Sequence, residues 1–153
     1  MDDLQRLEDW VAPLLARLSA PERRALTRTV ARELRKSNAA SMRDQQAPDG
    51  TAWTPRKNKL RDQRGAIRAK AQAMFVKMRA AKYLQARGTP DEAVVQFAGR
   101  ADRIARVHHF GLRDRVKPGG PEYDYPARPL LGITDAQMER VRDLLMQHLA
   151  TKG

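Results

Sequence analysis

Two stretches limit this chain more than any others: A47-P-D-G-T-A-W-T-P-R56 and Y123-D-Y-P-A-R-P-L-L-G132. Each carries two prolines. A proline removes a backbone donor and biases the residue before it toward extended backbone, so neither stretch continues a helix. The Asp49-Gly50 pair makes the start of the first a turn. Any fold must therefore arrange its regular elements around two extended limbs whose peptide groups need partners from elsewhere. Trp53 in the first limb is an anchor to a core, its own or a neighbour's. In the second, Tyr123, Tyr125, Leu130 and Leu131 point to docking. Arg128, held between prolines with little entropy to lose, suits an acidic partner. Two readings stand: the limbs lock neighbouring subunits, or they strap the chain's own core.

Helical patterning brackets these limbs. Leu4, Leu7, Val11, Leu14, Leu15 and Leu18 form one apolar stripe over 2–18, with a kink or restart at Pro13. Ser19-Ala20-Pro21-Glu22 has capping-box spacing and predicts a second helix to about Gln46. Its face carries Leu26, Val30, Leu34 and Met42, and Asn38 falls in the same register, turned to a polar partner. Ile133-Thr134-Asp135-Ala136-Gln137-Met138 predicts a third start: Thr134 caps, Gln137 reciprocates and Ile133 staples onto Met138. Val141, Leu144, Leu145, His148 and Leu149 continue that face.

Between them the pattern shortens. Residues 74–84 read as helix or strand. Thr89-Pro90-Asp91-Glu92 separates Tyr83–Ala86 from the β-branched run Ala93–Phe97, which predicts a hairpin. Gly99 and Gly111 bound a helix with Ile104, Val107 and His108 on one face. Residues 112–116 read as extended, and K117-P-G-G-P-E122 as a mobile loop. The expected fold class is α+β: an N-terminal helical pair (1–46), an extended basic arm (47–72), a short antiparallel sheet with a central helix (73–132) and a C-terminal helix (133–153), in one domain.

Charge is segregated by segment. The 153 residues carry a net +12. Residues 1–55 hold nine Lys/Arg against eight Asp/Glu, residues 56–87 eleven against one, and residues 88–153 ten against nine. Segment 56–87, with Arg61, Arg64 and Arg68, therefore reads as a solvated arm or as a surface for nucleic acid or an acidic protein. Cysteine is absent, which excludes disulfides and thiolate metal sites. No apolar run approaches the roughly 20 residues of a membrane span, and the acidic start is unlike a signal peptide, so no membrane partner and a cytoplasmic site of synthesis are expected.

The usual catalytic constellations are missing: no G-x-S-x-G, no phosphate-cradling glycine loop, no H-E-x-x-H. His108 and His109 are adjacent, so on a helix they diverge by about 100° and do not readily share an ion. His148, Asp102 or Asp114 would have to complete a metal site, without ligand-type spacing. The expectation is no metal and no cofactor, with His108 inward and hydrogen-bonded and His109 at a surface or interface beside Phe110.

Taken together, I104-A-R-V-H-H-F-G-L-R-D-R-V116 and Y125-P-A-R-P-L-L-G-I-T134 resemble the phage virion morphogenesis family, which includes tail completion proteins of contractile-tailed phages. The opening L-E-D-W-V, the S-A-P-E-R-R helix start and A-P-D-G-T-A-W-T-P-R match it too. The resemblance implies a structural protein rather than an enzyme, a small α+β neck or tail-completion subunit. It implies a homo-oligomeric ring, commonly of six, that meets other phage neck and tail proteins. Such a protein is assembled in the bacterial cytoplasm and belongs to the virion. In such a ring the basic segment would contact genomic DNA in the lumen without sequence preference. Two other classes remain as rivals: a nucleic-acid-binding regulator using 56–87, and a small metal-dependent hydrolase.

Overall fold

Ser19 opens the first long element. In the computed structural model, which describes residue 9 and residues 12–56 and 73–152, helix α1 runs Ala20–Arg43. The Glu22 N–H donates to Ser19 Oγ at 3.3 Å, the N-cap bond expected of that serine. Leu26, Val30 and Met42 are buried along α1, and Asn38 is buried in the same row. The remaining elements are strands β1 (Leu84–Gly88) and β2 (Ala93–Phe97), helix α2 (Arg100–Phe110), strands β3 (Arg113–Arg115) and β4 (Glu122–Asp124), and helix α3 (Asp135–Lys152). The fold is α+β. No helix among the described residues is long and apolar enough to cross a membrane. Of the expected N-terminal helix over 2–18, residues 12–15 are helical, and the rest lies mainly outside the described residues. So do the basic residues Arg61, Arg64 and Arg68.

The chain gathers into two compact units. The first takes its described residues from 1–37, 85–96 and 133–153. Its core is Leu26, Val30, Val141 and Leu145, with Leu15, Leu18, Leu34 and Ala93 packed against it. Each fully buried aliphatic side chain here contributes about 1.5–3 kcal/mol. Helix α3 starts as its sequence predicts: Gln137 N–H donates to Thr134 Oγ1 at 3.2 Å and Thr134 N–H to Gln137 Oε1 at 2.9 Å. Met138 is buried, while Ile133 is 42% exposed. Arg140 of α3 pairs with Glu33 of α1 at 3.2 Å. The turn of hairpin β1–β2 rests on α1 at two points. Thr27 Oγ1 donates to Thr89 O at 2.7 Å. A Cβ on Gly88 would lie 2.4 Å from Arg28 N, so only glycine lets the strand come this close to the helix backbone.

The expected hairpin is present, and β1 reaches two residues further than its sequence suggested. Thr89 closes the turn: its Oγ1 accepts from Asp91 N–H and Glu92 N–H at 3.2 and 3.0 Å.

The second unit comprises 38–84 and 97–132, as far as these are described. Helix α1 ends here without glycine. Gln45 has φ 58, and Gln46 N–H and Gln45 N–H donate to Ser41 O and Met42 O, both at 3.0 Å. This is the hydrogen-bond pattern of a Schellman ending, with glutamine in the left-handed position usually held by glycine. The Gln45 side chain offsets that cost by clamping the chain where it re-enters. Its Oε1 accepts from Met74 N–H at 2.7 Å, and its Nε2 donates to Met74 O and Met42 O at 3.1 and 2.9 Å.

Residues 74–84, ambiguous between helix and strand, are neither before Leu84: they form successive turns closed by Met78 N–H to Phe75 O and Ala80 N–H to Lys77 O, both 3.2 Å. The loop 117–121 turns a hairpin. Strands β3 and β4 pair antiparallel as Arg113 with Asp124, Asp114 with Tyr123 and Arg115 with Glu122. These three-residue strands have no hydrophobic face. Arg113 spans the pair instead, 2.8 Å from Glu122 and 3.1 Å from Asp124.

Candidate functional site

The candidate contact segments 47–56, 104–116 and 125–132 come together inside the second unit. Gly111 makes this possible. It ends α2 at φ 67 and ψ 56, with its own N–H and that of Leu112 both returning to Val107 O. It also faces Ala127 so closely that a Cβ would lie 2.7 Å from Ala127 N. The chain therefore doubles back along α2, and Tyr125 N–H donates to Leu112 O at 3.2 Å.

The strap 125–132 then satisfies its amides in alternation, as an extended chain presents them. Arg128 N–H donates to His108 O at 2.7 Å. Leu130 N–H donates to His109 Nδ1 at 3.1 Å. Gly132 N–H donates to Asn38 Oδ1 at 2.9 Å. A carbonyl, an imidazole and a side-chain amide thus stand in for a neighbouring strand. Asn38 is the polar interruption in the α1 row, and the strap is the polar partner its register called for.

The arm 47–56 is fastened to the same strap. Asp49 Oδ1 accepts from Thr51 N–H at 2.9 Å, which closes the turn and holds the Asp49 carboxyl below its usual pKa. Gln46 and Ala52 form an isolated bridge. Trp53, 6% exposed, donates from Nε1 to Pro129 O at 2.9 Å. Arg128 answers in the other direction: its Nε donates to Thr54 O at 2.8 Å and its Nη2 to Pro55 O at 3.3 Å. Among the described residues the acceptors of this buried guanidinium are carbonyl oxygens rather than a carboxylate. Burial is the first cause that lowers its pKa, with Tyr123 opposing and Arg56 adding to the effect.

His108 serves as a ring. Edge-to-face contacts run Trp53–Phe75 (5.3 Å between centroids), Phe75–His108 (4.8 Å), His108–Tyr125 (4.6 Å) and Tyr125–Tyr123 (5.0 Å). Each such pair contributes about 0.5–1.5 kcal/mol beyond burial alone. His108 Nδ1 is buried with no hydrogen-bond partner among the described residues. Desolvation, then the Arg128 charge, lowers its pKa and keeps it neutral. The expected division of labour is thus reversed at one point: His109 Nδ1 accepts a hydrogen bond from the strap, and His108 Nδ1 accepts none among the described residues. Burial lowers the His109 pKa as well.

The other candidates separate by exposure. Leu130 is fully buried, Leu131 and Tyr123 are half-buried, and Phe110 is 65% exposed. Ile104, expected to face inward with Val107 and His108, is 46% exposed; α2 buries Ala101, Ala105 and Val107 instead. Small alanines let the helix approach its neighbours more closely than an isoleucine face would. Gln45 and Asn38 are the anchoring residues that sequence reasoning did not single out as site residues. For Asn38 the signal was present, a polar residue in an apolar row. Among the described residues no group of three or more His, Asp or Glu side chains is placed to hold a metal ion.

Comparison with known proteins finds similarity along nearly the whole chain. The profile of the phage virion morphogenesis family matches residues 2–150. Tail completion protein S of Escherichia phage P2 is 36% identical over 151 residues, covering 97% of this chain and 99% of the phage protein. No solved structure matches. The chain belongs to the phage virion morphogenesis family.

Proposed function

We propose that the chain is a structural virion protein of phage tail completion and head-to-tail joining. It acts as one 153-residue domain in a ring, with six copies, at the neck or tail end. The observation that carries this reading is the end-to-end similarity to tail completion protein S. The chemistry of the strap supports it, because the side chains with catalytic potential are used for construction: His108 as a packed ring, His109 as an acceptor, Arg128 as a donor to carbonyls. On this reading Phe110 is an outward contact for a neighbouring subunit or another tail protein. The segment with Arg61, Arg64 and Arg68 faces DNA in the lumen or an acidic protein surface.

The test is a phage carrying a null allele of this gene, together with the purified protein. The expected result is separate heads and tails that fail to join, and a ring of about 104 kDa in solution, six times the 17.3 kDa chain. Infectious particles formed without the protein would overturn the assignment. A monomer that persists on isolated tails would overturn the ring. Charge reversal at Arg61, Arg64 and Arg68 is expected to impair joining or genome passage and leave subunit folding intact; normal infectivity from that variant would remove the lumen role.

A further inference from the structure

Helix α1 carries a row of cations that segment sums conceal. Between Ala20 and Arg43 it holds seven Lys/Arg against Glu22 and Glu33. Four of the seven, Arg24, Arg28, Arg32 and Lys36, recur at every fourth position, and all four are exposed. The inner row, Leu26, Val30, Leu34 and Asn38, recurs with the same period, two residues later. Two residues are about 200° of helix rotation, so the cations stay opposite the inner face along the whole row. The row is about 18 Å long, from twelve residues at 1.5 Å each. The exposed residues beside it, Ala25 and Thr29, are small and uncharged.

Several arginines elsewhere are neutralised, while Arg17, Arg87, Arg100 and Arg115 stand singly and form no such row. Arg103 pairs with Asp114, Arg106 with Asp102, Arg113 with Glu122 and Asp124, and Arg142 with Glu139. On α1 itself Glu33 turns to Arg140. None of the four row cations has a side-chain hydrogen bond or ion pair among the described residues. Like charges four residues apart on a helix repel and weaken it. A row that retains this repulsion, and lacks counter-charges of its own, is complementary to a polyanion.

We propose that the Arg24–Arg28–Arg32–Lys36 face binds the phosphate backbone of double-stranded DNA without sequence preference. DNA is favoured over an acidic protein surface because the row is regular, purely cationic and long enough to meet about five phosphates of one strand, at 3.4 Å of axis each. No Asn or Gln stands in the row to read base edges, so affinity follows charge and not sequence. The inference goes beyond the tail-completion role and does not require it, since the purified protein suffices for the test.

Fluorescence anisotropy with labelled 25-base-pair duplexes of two unrelated sequences, titrated between 50 and 200 mM salt, measures the effect. Four phosphate contacts add about −3.6 to the slope of log K against log salt, or about a 150-fold loss of affinity over that range. The variant Arg24→Gln/Arg28→Gln/Arg32→Gln/Lys36→Gln is expected to lose that part of the slope and to bind both duplexes equally weakly. Replacing the three arginines by lysine is expected to retain it. A variant with Arg61, Arg64 and Arg68 changed to Gln separates this face from the basic segment. Should the fourfold variant fail to fold, as judged by circular dichroism, Arg28→Gln/Arg32→Gln is expected to lose about half the effect. No duplex binding by the parent protein, a salt slope unchanged in the α1 variants, or strong preference for one sequence would each overturn the proposal. The first of these outcomes would point to an acidic protein as occupant.

Discussion

Replacing Trp53 by phenylalanine removes one indole N–H and leaves the edge-to-face contact with Phe75 available. The lost bond is Nε1 to Pro129 O at 2.9 Å, made by a residue that is 6% exposed. A net hydrogen bond contributes about 0.5–1.5 kcal/mol, and a desolvated carbonyl left without its donor costs about 1–3 kcal/mol. Trp53→Phe is therefore expected to cost about 2 kcal/mol, and Trp53→Ala about 3–5 kcal/mol as the packing goes too. With an m-value of about 2 kcal/mol/M, the urea midpoint falls by about 1 M for Trp53→Phe at unchanged slope. The assay is urea unfolding followed by circular dichroism at two protein concentrations tenfold apart. An intramolecular anchor gives the same loss at both, whereas an anchor in a neighbouring subunit gives a loss that grows on dilution. A Trp53→Phe midpoint within about 0.2 M of the parent would refute the claim that this bond fastens the arm to the strap.

Three further outcomes follow from the same geometry. Gly88→Ala places a methyl 2.4 Å from Arg28 N; with backbone on both sides it is expected to destabilise by about 1–3 kcal/mol in thermal melts, and an unchanged melt would contradict the close approach. Gln45→Gly relieves a left-handed glutamine worth about 1 kcal/mol but deletes three side-chain hydrogen bonds to backbone of about 1 kcal/mol each; a net loss near 2 kcal/mol is expected in urea titration, and a gain would show that the clamp is inert. His109 accepts from Leu130 N–H only while Nδ1 is unprotonated. Its folded pKa lies below the ordinary value near 6.5, so between the two the unfolded chain binds more protons. The stability it confers is complete above the unfolded pKa and is lost as pH falls through the folded one. Unfolding midpoints measured between pH 7.5 and 5 are expected to show this loss in the parent and less of it in His109→Gln.

Local rules were readable from short spacings. The Thr134–Gln137 capping box, the Ser19 cap, the αL ending at Gly111 and the β1–β2 hairpin each depend on residues within about five positions of one another, and each is present. The β3–β4 ribbon was not readable, because R-D-R and E-Y-D carry no β-type alternation and Arg113 braces them across the chain. The roles of the histidines were not readable either: which of two neighbours accepts a hydrogen bond depends on the register of a strap residue 21 positions away. The α1 cation row was hidden by arithmetic. Its excess of positive charge is offset in the 1–55 total by acids that lie outside the helix, such as Asp2, Asp3, Asp44 and Asp49.

The lacing of 125–132 through Asn38, Trp53, His108 and His109 has a consequence for substitution. The signature residues most recognisable in this chain hold the second unit to itself, so they report foldability. Outward positions such as Phe110 and the Arg24–Lys36 row take no part in that lacing. Substitution at Phe110 or along the Arg24–Lys36 row therefore leaves the lacing bonds in place, so the exterior of this chain can change independently of what holds the second unit together.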